Sequence, residues 1–349
     1  MGFKLDSLMA DLNKKAKEEI ISKGINSFDG YDKIPFTSPR MNYCTFGGIP
    51  VGKFTEFFGE EHGGKTTSAL DIVANFQEME RRRAEDDTNY VERSVLYCDC
   101  ENALNEEWAR KLGVDVDSMY VLQPKEQSAG EIFDLILSVI ETGECGLFVI
   151  DSIGAMISKQ ELDKDIEDST YAGISMALTK FCKKANLLMK KYNVTGIGIN
   201  QVRDDMNNPW GGYTTPGGKA WKHLCMVRLR FTRGAFFDKN YTDLTRSAES
   251  PAGNHVKMSI EKIKSAPPTR RTGEYILRYD IGVDYLYDLI DVAIKYNVIE
   301  KSGSWYSYID TNGEVIEKVQ GIFKMYDILS ENRELREEVE IRVNACINI

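Results

Sequence analysis

The sequence predicts an α/β fold, a mostly parallel sheet covered by helices, and three observations carry that expectation. Between about residues 40 and 280, apolar strand-like runs alternate with helical ones. One of them, Gly146-Leu147-Phe148-Val149-Ile150-Asp151, is apolar nearly throughout, as expected of a strand buried on both faces. Another, Phe54-Thr55-Glu56-Phe57-Phe58, runs into a glycine loop followed by a helical run, so strand, loop and helix succeed one another directly.

The elements follow in order. Residues 3–24 carry Leu5, Leu8, Met9, Leu12 and Ala16 at helical spacing and stop at Gly24. A lone amphipathic helix must bury its stripe on its own domain or on a neighbouring subunit. Strands are expected at 54–58, 95–99, 146–151 and 194–200, then at 225–231, 255–263 and 274–280 with less helix between them, as a β-rich extension. The charged stretch 81–93 reads as a surface insertion. After about residue 284 the pattern changes to helix (285–299), strand and turn (304–313), and helix again (319–343). The expected domains are therefore an N-terminal helix and linker at 1–39, a core at 40–283, and a small α+β domain at 284–349.

Composition narrows the class. The 349 residues are 42% hydrophobic and 28% charged, which suits a globular domain with a sizeable core. No run is apolar enough to cross a bilayer and the first residues do not form a signal peptide, so no membrane role is expected. Seven cysteines without metal-ligand spacing point to a reducing, cytoplasmic setting, and three scattered histidines make a zinc site unexpected. The net charge of −10 does not exclude a nucleic-acid partner, because binding needs only a local basic surface. Basic clusters at Arg81-Arg82-Arg83, Lys183-Lys184, Lys190-Lys191, Lys262 with Lys264, and Arg270-Arg271 read individually as solvated faces.

The glycine loop is a complete phosphate-binding motif, Gly59-Glu60-Glu61-His62-Gly63-Gly64-Lys65-Thr66. Its four fixed positions arise by chance in roughly one chain in a hundred of this length, so a fortuitous turn is the weaker explanation. In such a loop, turned N–H groups and a helix N-terminus converge on phosphate oxygens. Lys65 is expected on the β- and γ-phosphates and the Thr66 hydroxyl on Mg²⁺, with Thr67 also lining the nucleotide site; ATP and Mg²⁺ are the expected ligands.

Functional groups in open α/β sheets gather at the carboxyl ends of strands. Asp151 ends an apolar strand, where an acid holds the Mg²⁺ shell or merely caps a helix. Glu101 falls just past Tyr97-Cys98-Asp99-Cys100, where it is a base for the attacking water or a surface or capping residue. Cys98 and Cys100 read as packing residues. Gln201, in Ile199-Asn200-Gln201-Val202-Arg203, is a γ-phosphate sensor or an amide that closes a strand. The polar, glycine-rich stretch 204–218 follows, and a loop placed there is a candidate switch ordered by ATP.

Taken together these residues resemble the RecA recombinases. The phosphate loop, Cys98-Asp99-Cys100-Glu101-Asn102-Ala103-Leu104, Ala109-Arg110-Lys111-Leu112-Gly113-Val114-Asp115, Asp151-Ser152 and Asn200-Gln201-Val202-Arg203 stand in the family's order and at its spacing. Gly47-Gly48-Ile49-Pro50-Val51-Gly52 and Ser302-Gly303-Ser304-Trp305-Tyr306-Ser307-Tyr308 extend the likeness to nearly the whole chain. The resemblance implies a RecA-like ATPase core, and a homopolymeric, ATP-dependent filament on single-stranded DNA that pairs it with homologous duplex and exchanges strands. It implies Glu101 as the base, Gln201 as the switch amide and Asp151 in the metal shell. Trp108 would stack on adenine, Asn105 would meet the base edge, and Lys262 and Lys264 would reach the neighbouring subunit's ATP. DNA would meet a first loop at about 161–173, which includes Tyr171, and a second at 204–218, with Arg203, Trp210, Gly211, Gly212, Gly217 and Gly218. The first loop is acidic here, Asp163-Lys164-Asp165-Ile166-Glu167-Asp168. The chain closes at Ile349 without the long acidic tail of typical bacterial members, which suggests a phage-encoded relative.

Two other functions share these motifs. A hexameric RecA-fold helicase or translocase would use the same Lys65, Glu101 and Asp151. A non-catalytic, ATP-gated recombination mediator would not need all of Lys65, Thr66, Glu101 and Asp151.

Overall fold

The strand β1 (Phe54–Gly59) lies inside the central sheet, and all six of its residues are buried. The computed structural model describes residues 3–17, 31–162, 173–204, 212–245 and 247–347. Two compact units are recognised, 1–32 and 33–349. Of the first, the structure describes helix α1 (Phe3–Ala16); the expected stop at Gly24 lies outside the described residues.

The second unit opens with a two-residue strand, 33–34, paired antiparallel with 49–50; between them lies a short helix α2 (Pro39–Thr45), capped by the Ser38 hydroxyl, and the chain then reaches β1. Past the phosphate loop, α3 (Lys65–Asp86) buries Leu70, Ile72, Val73 and Phe76 on one side of the sheet. β2 (Ser94–Asp99), α4 (Glu106–Lys111), β3 (Met119–Leu122), α5 (Ala129–Glu141) and β4 (Cys145–Asp151) follow. α5 starts at a capping box, in which the Ser128 N–H donates to the Glu131 carboxylate at 2.8 Å and the Glu131 N–H reaches back to the Ser128 hydroxyl. α6 (Gly173–Tyr192) then returns to β5 (Thr195–Gln201), and α7 (Gly218–Leu224) leads into the long β6 (Cys225–Phe237). β7 (Gly253–Ile263), β8 (Thr272–Arg278) and β9 (Gly282–Val283) complete the sheet.

The strand order is β9-β8-β7-β6-β1-β5-β4-β2-β3, with the short pair 243–244 beside β6. From β6 to β3 all neighbours run parallel, and β7 to β9 add antiparallel to β6. The expected β-rich extension is thus the antiparallel half of one sheet. Side chains alternate between two cores. Phe57, Tyr97, Val149, Ile197 and Leu229 meet α3, while Phe54, Leu96, Phe148 and Ile150 meet α5, α6 and Trp221. Phe133 and Phe181 stack at 4.5 Å where α5 crosses α6.

Residues 81–93 form the last turns of α3 and the return to β2. α3 continues to Asp86, and Arg93 folds back on Glu80, which is 1% exposed and accepts from the Arg93 guanidinium at 2.8 Å and the Tyr90 hydroxyl at 2.6 Å. Arg93 holds the Glu80 carboxyl below the usual range against the opposing effect of burial.

The C-terminal part packs α8 (Tyr285–Lys295), a three-stranded antiparallel sheet β10 (Ile299–Ser302), β11 (Trp305–Ile309) and β12 (Val315–Gln320), and helices α9 (Ile322–Glu331) and α10 (Arg333–Ile347). Their shared core includes Leu289, Tyr308, Met325, Leu329 and Val339. α8 ends earlier than its apolar pattern suggests. Asn297 adopts φ 55°, and the N–H groups of Asn297 and Val298 close on Ile294 and Ala293 at 3.1 and 2.9 Å, so Ile299 starts a strand. The Ser38 hydroxyl donates to buried Asp288, and Phe237, Tyr241 and Tyr287 stack in series, which ties this part to the main sheet. Among the described residues no helix is long and apolar enough to cross a membrane.

Candidate active site

The phosphate loop owes its shape to backbone. Gly59 closes β1 at φ 153°, and a Cβ there would lie 2.0 Å from the Phe231 carbonyl oxygen of the adjacent strand. Gly64 opens α3 at φ 91°, with Val256 2.9 Å from where its Cβ would be. Both positions exclude a side chain. Glu60, Glu61 and His62 are exposed at the tip, and Gly63 is buried against Phe231. Lys65 is 8% exposed, and its Nζ donates to the Gly59 carbonyl at 3.1 Å and to that of Glu60. Burial lowers its pKa, opposed by the nearby charges of Asp151 and Glu101.

Three more strand ends converge beside this loop. Asp151, 7% exposed at the end of β4, accepts from the Thr66 hydroxyl at 2.9 Å and from the Tyr97 hydroxyl at 2.8 Å. Burial raises its pKa, the two hydrogen bonds oppose the rise, and Glu101 and Asp99 add to it. Glu101, exposed just past β2, accepts from the Ser152 hydroxyl. Gln201, at the end of β5, brings its Nε2 to 3.5 Å from the same Glu101 oxygen. Buried Asp99 orders the turn that carries Glu101 by accepting from the N–H groups of Ala103 and Leu104, each at 3.1 Å. Lys65, Thr66, Asp151, Glu101 and Gln201 are therefore gathered at one edge of the sheet.

The donor set fits Mg²⁺. Thr66 and Asp151 offer hard oxygens, the ligands this ion takes from a protein when phosphates and water complete its shell. Among the described residues no cluster of three or more His, Cys, Asp or Glu side chains is arranged to hold a metal unaided.

Trp108 flanks the other side of α3, half-buried, with its indole N–H 3.3 Å from the Thr67 hydroxyl. The Asn105 side-chain oxygen caps α4, accepting from the Trp108 N–H at 2.8 Å, which leaves its NH₂ for other partners. Lys262 and Lys264 are not brought to this loop. Lys262 pairs in register with Arg228, which faces Glu56, three residues before Gly59, so it lies two strands across and about 10 Å back from the loop. Its ammonium donates to the Lys222 carbonyl.

Of the expected DNA residues, Tyr171, Trp210 and Gly211 lie outside the described residues. Arg203 and Asp204 pair antiparallel with Thr214 and Tyr213, forming a hairpin stem; Gly212 immediately precedes the second arm, and Gly217 and Gly218 lead from it into α7. Beneath the stem is a buried polar group that the motifs did not indicate. Glu56, 0% exposed, accepts from Asn200 Nδ2 at 3.1 Å, from the Trp221 indole at 3.0 Å and from Arg228. Asn200 also donates to the Pro216 carbonyl at 2.8 Å, and Arg228 donates to the Thr215 hydroxyl at 3.2 Å. One signal was available: Glu56 is the single charged residue in a largely aromatic strand. Nothing local pointed to Tyr97 or Ser152 as site residues.

The comparisons agree with this geometry. Residues 4–284 match the RecA N-terminal domain family and residues 287–348 the RecA C-terminal domain family. Protein RecA of Sulfurovum sp. (strain NBC37-1) is 34% identical over 305 residues, 86% of this chain and 79% of the relative. Protein RecA of Staphylococcus aureus (strain JH9) is 32% identical over 310 residues, 88% of this chain and 81% of the relative.

Proposed function

Because the chain belongs to the RecA family, we propose that the residues gathered at the carboxyl ends of β1, β2, β4 and β5 hydrolyse ATP, and that the loop after β5 conveys this to DNA. The protein is an ATP-dependent recombination and repair protein and a DNA-dependent ATPase, with the single-stranded DNA binding and filament formation of its family. One observation carries the assignment of residues: Glu101 shares one carboxylate oxygen between Ser152 and Gln201, which places an acid and the root of the loop in direct contact.

The N–H groups of residues 59–64 and the start of α3 receive the phosphates, and Lys65 leaves its carbonyl partners to take their charge. Thr66 and Asp151 hold Mg²⁺, which when bound neutralises charge on the phosphates. Glu101 takes a proton from the attacking water; the water oxygen bonds to the γ-phosphorus as the bond to the bridging oxygen breaks and ADP leaves. The Ser152 hydroxyl fixes the orientation of that carboxylate. Gln201 exchanges its contact with Glu101 for the γ-phosphate, and loses it again when the phosphate departs. Trp108 stacks on adenine, and Asn105 meets its edge.

On the DNA side, Arg203, Gly212, Gly217 and Gly218 supply an arginine and close-approaching backbone to the strand, joined by Trp210 and Gly211 of the same stretch and Tyr171 of the first loop. Homologous duplex is the second DNA partner and the cytoplasm the setting. Lys262 and Lys264, remote from their own loop, serve the ATP of the next subunit in a helical filament.

The test is Glu101→Gln. Turnover is expected to fall by about a thousandfold while ATP and single-stranded DNA remain bound. Normal turnover by that variant would remove Glu101 from its role as base.

A further inference from the structure

The hairpin stem at 203–204 and 213–214 has a second attachment, on the side away from Gln201. Tyr213 lies against Phe58, ring centroids 6.0 Å apart, and Phe58 is the last side chain before Gly59. The Arg230 guanidinium covers the Tyr213 ring at 4.1 Å from its centroid, and Arg228 covers Phe58 at 4.7 Å. The Tyr213 hydroxyl donates to the Glu261 carboxylate at 2.8 Å. Two and three residues further on, Thr215 and Pro216 are bound by Arg228 and Asn200, both of which converge on Glu56 of β1. The returning arm of the loop is thus built on the strand that becomes the phosphate loop.

We propose that Tyr213 and Arg230 form a clamp that positions the glycine-rich loop for DNA by fixing its returning arm to Phe58, as a second link to the nucleotide site beside Gln201. The proposal rests on the reading of 204–218 as a DNA element. Its physical basis is a partly buried cation held over an aromatic face, with a second ring tilted beside it. Because Asp204 pairs directly with Tyr213, fixing one arm fixes the other. A stem held at both roots presents the loop in one register, so less ordering remains to be done when DNA binds.

The experiment measures ATP hydrolysis by the full chain at rising concentrations of oligo(dT), using Arg230→Met, Tyr213→Ala, the pair combined, and Tyr213→Phe. Each of the first two is expected to raise the half-saturating DNA concentration about fivefold, and the pair no further than either alone, since both break one contact. Tyr213→Phe keeps the ring and stays within about twofold of the unaltered protein. A normal DNA response in Arg230→Met and Tyr213→Ala, multiplicative losses in the pair, or equal damage from Tyr213→Phe and Tyr213→Ala would each overturn the clamp. Arg203→Ala combined with Trp210→Ala is the control for the underlying reading. If that variant binds DNA normally, the loop is not the DNA element and both ideas fall; if it loses DNA while the clamp variants behave normally, the clamp alone falls.

Discussion

The phosphate loop and the loop after β5 are both rich in glycine, yet they are built in opposite ways. The first is shaped by backbone: two glycines in conformations closed to other residues, a lysine resting on carbonyls, and side chains at 60–62 that face solvent. The second is rooted by side chains drawn from β1, β5, β6 and β7, namely Glu56, Asn200, Arg228, Arg230 and Glu261. A loop made of backbone holds one geometry for a fixed anion. A loop rooted by side chains can exchange partners while its stem stays folded, as the role proposed for it on DNA requires.

Removing the lysine breaks the comparison hardest. Lys65→Ala leaves the loop folded but without its cation, and turnover is expected to fall at least about a thousandfold in a steady-state assay. Stability should scarcely change, because the lysine is held only by carbonyls that water can satisfy. A large drop in unfolding temperature would mean that the lysine also shapes the loop.

At the other root the order of effects reverses, with stability lost first. Glu56→Leu strands Arg228, 14% exposed, without its partner and should destabilise the fold by about 3–5 kcal/mol in urea titrations. Glu56→Leu with Arg228→Met should recover part of that, because the uncompensated charge is gone. A single variant as stable as the unaltered protein would show that the buried acid is not what holds the stem.

The same contrast explains what could be read from sequence. The strands of the parallel half and the phosphate loop are continuous in the chain, so apolar runs and one motif located them. β3 escaped because four residues at a sheet edge, with Tyr120 and Val121 exposed, carry no alternation. β10 and β12 escaped for a similar reason; their burial is sparse, and Asn297 ends α8 through backbone conformation rather than composition. Glu101, Asp151 and Gln201 were legible one by one at strand ends, but their partner Ser152 was not. The stem contacts join residues as much as 172 positions apart, a separation no local pattern records.

A pH series sharpens the phosphate side. Asp71 on α3 is fully buried, and burial pushes its carboxyl from 3.8 up to about 6, against hydrogen bonds from Thr37 and Asn75. The folded chain therefore holds this proton more tightly than the unfolded chain. Stability from the neutral carboxyl is complete below about pH 4 and lost as pH rises through about 6. At 1.36 kcal/mol per unit, the loss reaches about 3 kcal/mol. Asp71→Asn carries no such proton, so its stability relative to the unaltered protein should rise by nearly that amount between about pH 3 and 7. A constant difference across the series would show that Asp71 stays ionised in the fold.

The smallest expected effect concerns whether the adenine side follows the backbone rule or the side-chain rule. Asn105 can act through its oxygen, which caps α4 and aims Trp108, or through its NH₂, which can reach a base. Asn105→Asp keeps the capping oxygen and removes the donor, whereas Asn105→Ala removes both. If aiming Trp108 is what matters, Asp should bind ATP within about twofold of the unaltered protein, while Ala loses about 1 kcal/mol of cap and binds several-fold more weakly. Equal losses in the two variants, measured by nucleotide titration, would instead assign the amide to the base and leave the cap incidental.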